Sequence, residues 1–544
     1  MSDNLTQSIK RYAKAMPTMD AIIEMKKTSR GQAVIHRRLS FEQLDRGIDQ
    51  YAAKFSKEGI EPGSRVLMLL QPGSKMICAF FALIRIGAIP IIIDSGVGRK
   101  ELVSLSNFSK PDFILCFPKI KWLINCRLLN IRGKIIAIGR FFTKSTTAAE
   151  TMRDSDPEET VAILFTSGST GRAKGVVYKY RNFASQLDKL RLTYHLLPNV
   201  KDVTFLPAFM LFNPIFGRVS IIPAMDFSRP ATFHLPSVVE TIVNLCATSS
   251  FGAPTLWKKI TDYCLENGIK LRSLEQIFLA GVSATAQLIE DLQSIAPNAK
   301  IFTPYGATEC LPICSISGEE ILGEVRPLQE NGAGTCLGFP VDDIEIRIIA
   351  VEEGVVDTLD ESKILPLGFI GEIIVSGENV TESYDQLPQQ TVLAKIHWEG
   401  KIWHRTGDLG FWDQKGRLWF CGRKTERVID GKNEEYYPDC IEPLFHKYSA
   451  VERSALIKIE VNGKTRPAIA ILPKKDQYPF FCWQKRAFRR KLQDLAQCFP
   501  KTTPIRDFFF FRKFPVDPRH NAKIHRLILG EKCSRRTLLD YFHR

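Results

Sequence analysis

The chain has 544 residues, which is too long for one ordinary hydrophobic core and predicts two or more domains. Hydrophobic residues make up 44% and charged residues 24%, a balance typical of globular soluble proteins and not of disordered ones. The net charge of +15 favours an anionic ligand, an anionic membrane surface or nucleic acid, and does not choose among them.

Cysteine and histidine spacing argues against a disulfide framework or a metal cluster. The thirteen cysteines include no Cys-x-x-Cys pair, and the nine histidines are dispersed. The first residues lack an apolar signal core, and Arg85, Gly87 and Pro90 interrupt the longest apolar segment, 76–93. We therefore expect a cytoplasmic protein without a transmembrane segment, in which 76–93 forms a buried helix followed by a buried strand.

The first 150 residues alternate helix and strand patterns. Apolar residues recur at helical spacing through 39–55, and Gly59 ends that pattern. Uniformly apolar runs at 65–70 and 88–94 have the length of strands. Such strands, separated by helices, predict a parallel sheet covered on both faces.

The stretch 161–175 has the composition of a polyphosphate-binding loop. An apolar strand, 161–165, leads into a loop rich in hydroxyl groups and glycine, and Lys174 follows. The glycines allow successive N–H groups to turn toward one anion, while the hydroxyls add donors and the lysine adds charge. The loop is not a Walker loop, because Gly175 follows the lysine. The loop residues that we expect to bind phosphate are Thr166, Ser167, Gly168, Ser169, Thr170, Gly171 and Lys174. The alternative is a surface linker.

The helix and strand rhythm continues to residue 309. Ser237 and Glu240 have the spacing of a capping box, which predicts a helix from Ser237 to Leu245. Strands are predicted at 249–252, 276–280 and 300–304, with helices beginning near Pro254 and Ala284. Ligands of doubly wound sheets bind at the carboxyl ends of strands, and the last of these strands leads directly into Tyr305-Gly-Ala-Thr-Glu309.

After residue 340 the sequence pattern changes from alternating helices and strands to mainly strands. Strand patterns at 344–349 and 371–377 predict a β-rich subdomain over 340–420. A small α+β domain is predicted beyond it, with a hairpin at Asn462-Gly463 and a basic amphipathic helix over 483–499. A solvated face is the preferred interpretation of that helix, and a membrane or nucleic-acid patch is the alternative.

Several of these motifs together resemble the adenylate-forming superfamily of acyl-CoA synthetases, adenylation domains and luciferases. The residues that carry the resemblance are 162–175, Tyr305-Gly-Ala-Thr-Glu309, His404-Arg-Thr-Gly-Asp408 and 514–526. The resemblance implies an α/β fold, in which a large ATP- and acyl-binding domain, 1–423, precedes a small mobile C-terminal domain, 424–544. The large domain would contain helix-covered, mostly parallel sheets and the β-rich subdomain.

The resemblance also implies roles for single residues. Tyr305, with Gly306 and Ala307, would face the purine, Thr308 would bind a phosphate, and Glu309 would ligate Mg²⁺. Asp408 would bind both ribose hydroxyls, and Arg423 would lie near the ribose and phosphates. Lys523 would swing onto the reacting carboxylate, so that Lys523, Glu309 and Thr166 form the expected catalytic set. ATP and Mg²⁺ are the expected cofactors.

An apolar acid is the expected substrate. Leu206-Pro-Ala-Phe209 resembles the substrate-side motif of the superfamily, and Met210 occupies the position where a histidine is common. The residues that we expect to contact the acyl group are Phe209, Met210, Phe212, Phe251 and Gly281.

Details of the sequence resemble one branch, the β-lactone synthetases of olefin biosynthesis. These details are 207–217 without the histidine, 222–230, 422–428 and His520-Asn-Ala-Lys523. In that branch the β-hydroxyl of the substrate attacks its own adenylate without coenzyme A. Thr425 at the expected hinge position and Ile429 in place of the expected lysine agree with this. A fatty or β-hydroxy fatty acid is then the substrate, and partner enzymes of the same pathway, rather than nucleic acid, are the expected protein contacts.

Two alternatives remain open at the level of sequence. The first is a medium- or long-chain acyl-CoA ligase, which differs by its dependence on coenzyme A. The second is a silent nucleotide-binding protein, which the presence of Glu309, Asp408 and Lys523 disfavours. A tRNA-charging enzyme would explain the basic charge, but its signature motifs are missing from the sequence.

Overall fold

A computed structural model describes residues 5–94, 96–126, 128–139, 153, 156–166, 173–229, 232–461, 463–516 and 524–542. The strands, in chain order, are β1 Asp20–Lys27, β2 Ala33–Ser40, β3 Arg65–Leu69, β4 Ile89–Ile93, β5 Phe113–Cys116, β6 Lys134–Ala137, β7 Thr160–Thr166, β8 Lys174–Lys179, β9 Lys201–Thr204, β10 Val219–Ile222, β11 Ser249–Gly252, β12 Gln276–Leu279, β13 Lys300–Ala307, β14 Cys310–Ser317, β15 Thr335–Pro340, β16 Glu345–Ile349, β17 Gly371–Ser376, β18 Ser383–Tyr384, β19 Lys395–Trp398, β20 Lys401–Trp412, β21 Leu418–Arg423, β22 Val428–Ile429, β23 Glu435–Tyr436, β24 Val451–Val461, β25 Lys464–Pro473 and β26 Asp507–Phe510.

The helices pack on and between these strands. In chain order they are α1 Thr6–Ala15, α2 Phe41–Lys57, α3 Ser74–Arg85, α4 Arg99–Phe108, α5 Pro118–Asn125, α6 Tyr180–Tyr194, α7 Pro207–Ile215, α8 Leu235–Asn244, α9 Pro254–Glu266, α10 Ala286–Ile295, α11 Gly318–Glu320, α12 Arg326–Glu330, α13 Pro388–Ala394, α14 Pro438–Phe445, α15 Cys482–Gln497 and α16 Arg526–Phe542.

Two large sheets form the body of the molecule. One has the strand order β18-β8-β7-β4-β3-β5-β6, and its strands from β7 to β6 pair in parallel. The other follows the path β16-β17-β20-β21-β15-β14-β13-β12-β11-β9-β10-β1-β2 and is parallel from β13 to β1. Its antiparallel part runs from β16 to β14, and β16, β17 and β20 of this part lie within 340–420, where the sequence predicts a β-rich region.

Helix α3 shows why the segment 76–93 is so apolar. Its side chains, including Phe80 and Phe81, are buried on every face, and β4 follows it directly. The same core cluster contains residues of α2, α6 and α7, so these helices cover the sheets. A helix that is apolar all round must be enclosed by the protein, and this confirms the predicted helix and strand. Among the described residues, no helix is both long and apolar enough to cross a membrane.

One local prediction was wrong. Ser237 does not cap α8, because the helix begins two residues earlier and His234 is its N-cap, with the imidazole accepting a hydrogen bond from the Ser237 amide. Glu240, the predicted partner in the capping box, instead accepts a hydrogen bond from the Ala33 amide in β2 at 3.0 Å. A tertiary contact therefore replaces the local one that the sequence suggests.

A small α+β unit follows β21. It contains the sheet β24-β25-β26 and helices α14, α15 and α16, with hydrophobic clusters of its own. The hairpin of β24 and β25 pairs Val461 with Lys464, as the turn at 462–463 predicts, although Asn462 itself lies outside the described residues. The predicted α/β fold class with a small C-terminal domain is thereby confirmed. The boundary at 423/424 and the mobility of the small domain stay predictions.

Candidate active site

The sheets place two of the predicted motifs, the loop after β7 and the stretch 305–309, at the carboxyl ends of strands. Strand β7 ends at Thr166, and β13 continues past Pro304 into a hairpin with β14. The turn of this hairpin holds Thr308 and Glu309. Gly306 is required beside it, because a Cβ atom there would lie 2.6 Å from Leu311 Cδ1 and 2.9 Å from the Cys310 carbonyl oxygen. The close pairing of the two strands thus fixes the position of Glu309.

Asp408 is held between two partners. Its Oδ2 accepts a hydrogen bond from the Tyr305 hydroxyl at 2.6 Å, and its Oδ1 lies 2.8 Å from Arg423 Nε. Asp408 and Arg423 face each other across β20 and β21, and Gly407, with φ +69°, makes the bend before the aspartate. The Asp408 carboxylate raises the pKa of Arg423, which therefore stays charged. Tyr305 and Arg423 therefore orient the Asp408 carboxylate before a ligand binds. Tyr305 lies 103 positions before Asp408 in the sequence.

Glu309 is the centre of a second polar group. Its Oε1 accepts a hydrogen bond from the Tyr384 hydroxyl at 2.6 Å, and its backbone carbonyl accepts one from the Thr381 amide at 2.9 Å. Strand β18, which contains Tyr384, pairs with β8 next to Val176. The Lys174 ammonium lies 4.7 Å from the centroid of the Tyr384 ring. Tyr384 therefore connects the carboxylate of Glu309 with the lysine of the predicted phosphate loop.

Two buried bases lie behind Glu309. Burial lowers the pKa of Lys395 to about 8, although Glu309 opposes that shift. Burial, together with the nearby Lys395, lowers the pKa of His404 to about 3, so its imidazole is neutral. Burial alone would raise the pKa of Glu309, but the Tyr384 hydrogen bond and the charge of Lys395 hold that pKa below its ordinary value. Glu309 is consequently ionised at neutral pH inside the protein.

Part of the predicted phosphate loop cannot be compared with the structure. Ser167, Gly168, Ser169, Thr170 and Gly171 lie outside the described residues, and only the backbone of Thr166 is described, as the end of β7. Lys174 begins β8 and pairs with Thr166 across the two strands. Burial lowers the pKa of Lys174 below its ordinary value, although the nearby Glu309 carboxylate opposes that shift. The described ends of the loop therefore lie in the same neighbourhood as Glu309.

A cleft of about 600 Å³ separates the large sheets from the small C-terminal unit. Tyr305, Gly306, Asp408 and Arg423 line one side, together with Gly281. The other side includes residues of the small unit, which are Asp439, Glu442, His446, Arg453, Ser454, Ile524 and Arg526. Lys523 lies outside the described residues, but its neighbour Ile524 lines this cleft.

Arg526 forms hydrogen bonds on the side of the cleft that belongs to the small unit. Its guanidinium donates two hydrogen bonds to the Glu442 carboxylate, both at 2.8 Å, and a third to Glu426 Oε2 at 2.8 Å. Glu426 follows β21 directly, whereas Glu442 belongs to α14. The segment that follows residue 523 is thus tied to the start of the small unit.

Four phenylalanine rings from α7 and the strands β11, β12 and β13 form a stack. Phe251, Phe278 and Phe302 occupy matching positions on β11, β12 and β13, with ring centroids 5.6 Å apart. Phe209, from α7, stacks on Phe251 with centroids 3.4 Å apart. Phe212 contacts Phe209 edge to face at 5.1 Å. The same strands lead to Gly281 and Tyr305, which line the cleft.

The stack closes a cavity of only about 30 Å³ that has a polar floor. Phe209, Phe212 and Phe251 line it, and Arg218 and Asp202 lie at its base with N···O 3.7 Å. Both charged residues are almost fully buried. Met210 is fully buried as well, but it does not line this cavity or the cleft as described. An acyl chain would therefore have to displace phenylalanine rings in order to enter.

The sequence located most of the polar residues and missed others. Tyr305, Asp408 and Arg423 are in mutual contact, and Glu309 and Lys174 share a contact with Tyr384. Sequence reasoning gave no role to Tyr384, Lys395 or His404. His404 lay inside a quoted motif, so it carried a signal, whereas Tyr384 reaches Glu309 from 75 positions away and no local pattern marks it.

Comparison with known proteins extends these observations. The sequence profile described as AMP-binding enzyme matches residues 11–385. An olefin beta-lactone synthetase of Xanthomonas campestris pv. campestris is 32% identical over 543 residues, covering 96% of each chain. A second olefin beta-lactone synthetase, from Stenotrophomonas maltophilia, is 33% identical over 519 residues, covering 91% of each chain.

Solved structures share the fold at lower identity. An o-succinylbenzoate coenzyme A synthetase from Bacillus subtilis, in complex with ATP and magnesium ion, aligns with a TM-score of 0.75 and 20% identity. The alignment covers 95% of this chain and 98% of the synthetase. This similarity extends over both the large sheets and the small C-terminal unit.

Proposed function

The chain belongs to the AMP-binding enzyme family, and we propose that it converts a β-hydroxy fatty acid to a β-lactone through an acyl-adenylate. Two relatives named olefin beta-lactone synthetase, each more than 30% identical over nearly the whole chain, support this reaction. The enzyme is an AMP-forming ligase that acts on a small carboxylic acid. The proposal adds the class of acid and the roles of single residues.

One observation carries the proposal: the β13–β14 hairpin holds both Glu309 and Tyr305, the partner of Asp408, so the ionic groups around Asp408 and Glu309 are neighbours. Asp408 accepts from Tyr305 and Arg423, and can in turn accept hydrogen bonds from the ribose hydroxyls of ATP. Glu309 is ionised and provides the hard oxygen atom that Mg²⁺ prefers. Together with the hydroxyl-rich loop 166–171, these groups match the ribose, metal and phosphates of one nucleotide.

We assign the first step to alignment and charge neutralisation. An oxygen of the substrate carboxylate attacks the α-phosphorus of ATP, and pyrophosphate leaves, which forms the acyl-adenylate. Mg²⁺ held by Glu309 would offset the negative charge of the phosphates. Asp408 fixes the ribose, Lys174 and the loop 166–171 hold the phosphates, and Lys523 meets the charge that develops between the carboxylate and the α-phosphate.

We assign the second step to the substrate itself. The β-hydroxyl oxygen attacks the acyl carbon of the adenylate, loses its proton, and AMP leaves as the four-membered ring closes. No thiol is needed for this step. The resemblance to the superfamily implies other residues at positions 425 and 429 in a thioester-forming enzyme. This chain has Thr425 and Ile429 there, which supports a thiol-independent reaction.

The acyl group would lie against Phe209, Phe212 and Phe251. Phe251 lies near the carboxyl end of β11, and Phe209 and Phe212 belong to α7, which packs against it. The cavity behind them is lined mainly by apolar rings, which disfavours a polar amino-acid side chain as the substrate. Gly281, with φ +94° and open space on its Cβ side, lines the cleft and leaves room for the reacting end of the acid.

Product analysis with and without coenzyme A tests the proposal. The protein is incubated with ATP, Mg²⁺ and a β-hydroxy fatty acid, and pyrophosphate, AMP and the acyl product are measured. We expect equal pyrophosphate and AMP, and a product that has lost one water relative to the acid, whether or not the thiol is present. A thioester formed only with coenzyme A would indicate an acyl-CoA ligase, and an absence of pyrophosphate would indicate a silent nucleotide-binding protein.

A further inference from the structure

The small C-terminal unit exposes an unusual surface that the proposed reaction does not use. We name it the aromatic–basic patch and define it by Tyr478, Phe480, Phe481, Trp483, Arg486, Arg490 and Arg512. Phe480, Phe481 and Trp483 are 61%, 62% and 67% exposed. Isolated exposed apolar side chains are ordinary, but three large rings within four residues form a contiguous apolar surface.

The aromatic rings of the patch pack against one another in pairs. Phe481 and Trp483 are parallel, with ring centroids 6.3 Å apart, and Tyr478 meets Phe480 edge to face at 5.2 Å. The Arg512 guanidinium lies 5.3 Å from the Tyr478 ring and 5.4 Å from the Phe480 ring. Cationic and aromatic groups therefore occupy the same surface.

Helix α15 extends this surface with positive charge. Its inner face, which includes Phe488 and Leu492, is buried in the core of the small unit. At about 100° per residue, Trp483, Arg486 and Arg490 lie roughly opposite Phe488 and face outward together. Residues 474–497 contain seven basic and two acidic side chains. Among the described residues, no carboxylate forms an ion pair with Arg486, Arg490 or Arg512, so their charge is directed to solvent.

We propose that the aromatic–basic patch docks the protein on a lipid bilayer surface that contains anionic lipids. Aromatic rings are favoured at the boundary between headgroups and acyl chains, and neighbouring arginines are attracted to anionic headgroups. The patch offers both, side by side. The charge of the patch is opposite to that of such a surface, and its rings supply the apolar contact that charge attraction alone lacks. The proposal concerns this surface only and goes beyond the reaction.

Vesicle co-sedimentation of the full chain tests the proposal. The vesicles contain phosphatidylcholine alone or with about 30% phosphatidylglycerol. We expect association with the anionic vesicles at low salt, at least tenfold weaker association with the neutral ones, and loss of association as salt shortens the range of the charge attraction. Equal association with both vesicles, or none with either, would overturn the proposal.

Matched variants locate the contact. The triple variant Phe480→Ser, Phe481→Ser, Trp483→Ser should weaken association at least tenfold, and Arg486→Gln with Arg490→Gln should weaken it by about fivefold per charge. The controls are Trp122→Ser, a tryptophan in α5 that is 59% exposed, and Lys14→Gln with Lys57→Gln, two exposed lysines of α1 and α2. The controls should associate like the unchanged protein. Thermal unfolding verifies that every variant is folded.

Further outcomes separate lipid from other anionic partners. If the patch variants bind anionic vesicles as strongly as the unchanged protein, the contact lies elsewhere and the proposal fails. If duplex DNA or an acidic protein binds the unchanged protein and the vesicles do not, the patch recognises a different class of macromolecule and the proposal also fails. Competition by soluble phosphatidylglycerol headgroup alone should be weak, since it lacks the acyl chains that the rings contact.

Discussion

The proposed nucleotide end and the proposed acyl end of the site are built in different ways. At the nucleotide end, Asp408 and Glu309 are fixed by hydrogen bonds and ion pairs, with Tyr305, Arg423 and Tyr384 as partners. At the acyl end, Phe209 stacks on Phe251 and closes the space that a substrate would need. Polar groups must be oriented in advance, because reorienting charge during the reaction is costly, whereas apolar rings can turn at low cost. We therefore expect sharp losses from changes at the first end and altered selectivity from changes at the second.

The largest effect should come from Lys523→Ala. We expect adenylation to fall by about two to three orders of magnitude or more, because one preorganised positive group is lost from the reacting atoms. ATP should still bind, since Asp408 and the phosphate loop remain. Pyrophosphate release and ATP binding, measured separately, check this expectation. Lys532→Ala, which removes an exposed lysine nine positions away on α16, should behave as the unchanged protein. Undiminished pyrophosphate release by Lys523→Ala would contradict the assigned role.

Asp408→Asn should have the next largest effect. The amide removes the negative charge that faces Arg423 and leaves that guanidinium partly unpaired, and it also weakens the contact with ribose. We expect kcat/KM for ATP to fall about a hundredfold, mainly through KM. Glu361→Gln, the same chemical change on an exposed turn, is the control. If KM for ATP stays unchanged while kcat falls, the carboxylate serves the chemical step and not the nucleotide.

Tyr384→Phe tests whether the hydrogen bond to Glu309 supports the proposed Mg²⁺ site. The change removes the hydroxyl that donates to Glu309 and keeps the ring beside Lys174. A hydrogen bond to a charged group contributes about 1.5–3 kcal/mol, so we expect about a tenfold higher Mg²⁺ concentration for half-maximal activity and for half-maximal ATP binding. Tyr263→Phe, on α9, should leave both values unchanged. Loss of kcat at saturating Mg²⁺, without a shift in the Mg²⁺ requirement, would place Tyr384 in another role.

Phe209→Ala should change selectivity more than rate. Removing the ring enlarges the 30 Å³ cavity and allows a longer or bulkier chain to pass Phe251. We expect the ratio of kcat/KM for a longer over a shorter acid to rise about fivefold, within the range that one or two methylene groups produce. Phe411→Ala, which removes a ring that stacks on Trp419 in the β-rich region, should leave the ratio unchanged. An unchanged ratio in Phe209→Ala would move the acyl site elsewhere.

The smallest effect should be the pH dependence of the free energy of unfolding that Asp439, in the wall of the cleft, produces. Burial, with help from Glu442 and against Arg526, raises the pKa of Asp439 to about 7. Between the unfolded pKa near 4 and this value, the folded chain binds a proton that the unfolded chain has released, so the free energy of unfolding falls as pH rises. Asp439→Asn should remove this dependence and gain about 1–2 kcal/mol at pH 8. Unfolding by urea at pH 5 and pH 8 measures it, and equal pH slopes in both proteins would refute the assignment.

The polar end was also the more predictable end. Tyr305, Glu309 and Asp408 stand in short motifs, so the sequence alone marked them as candidates, and the structure gives each of them a polar contact. Their roles toward a nucleotide stay predictions. Tyr384 escaped prediction because its hydrogen bond to Glu309 exists only after β18 has paired with β8. Helix α8 shows the same limit, since Glu240 contacts β2 and not its own helix end.

The apolar end was predictable in composition and not in geometry. Phenylalanine-rich segments indicated an acyl wall, and Phe209, Phe212 and Phe251 do line one cavity. Met210, one position along α7 from Phe209, lies in the core instead, because neighbouring helix residues point about 100° apart. Phe278 completes the stack only through the alignment of β11 with β12, which no short sequence motif encodes.

Isotope transfer tests the central claim most directly. A β-hydroxy acid carrying ¹⁸O in both carboxylate oxygens is turned over with ATP and Mg²⁺, and AMP and the acyl product are analysed by mass spectrometry. If the carboxylate attacks the α-phosphate, each AMP gains one ¹⁸O and the lactone keeps one, in its carbonyl group. Unlabelled AMP, with both labels retained in the product or one found in pyrophosphate or phosphate, would show that no acyl-adenylate forms.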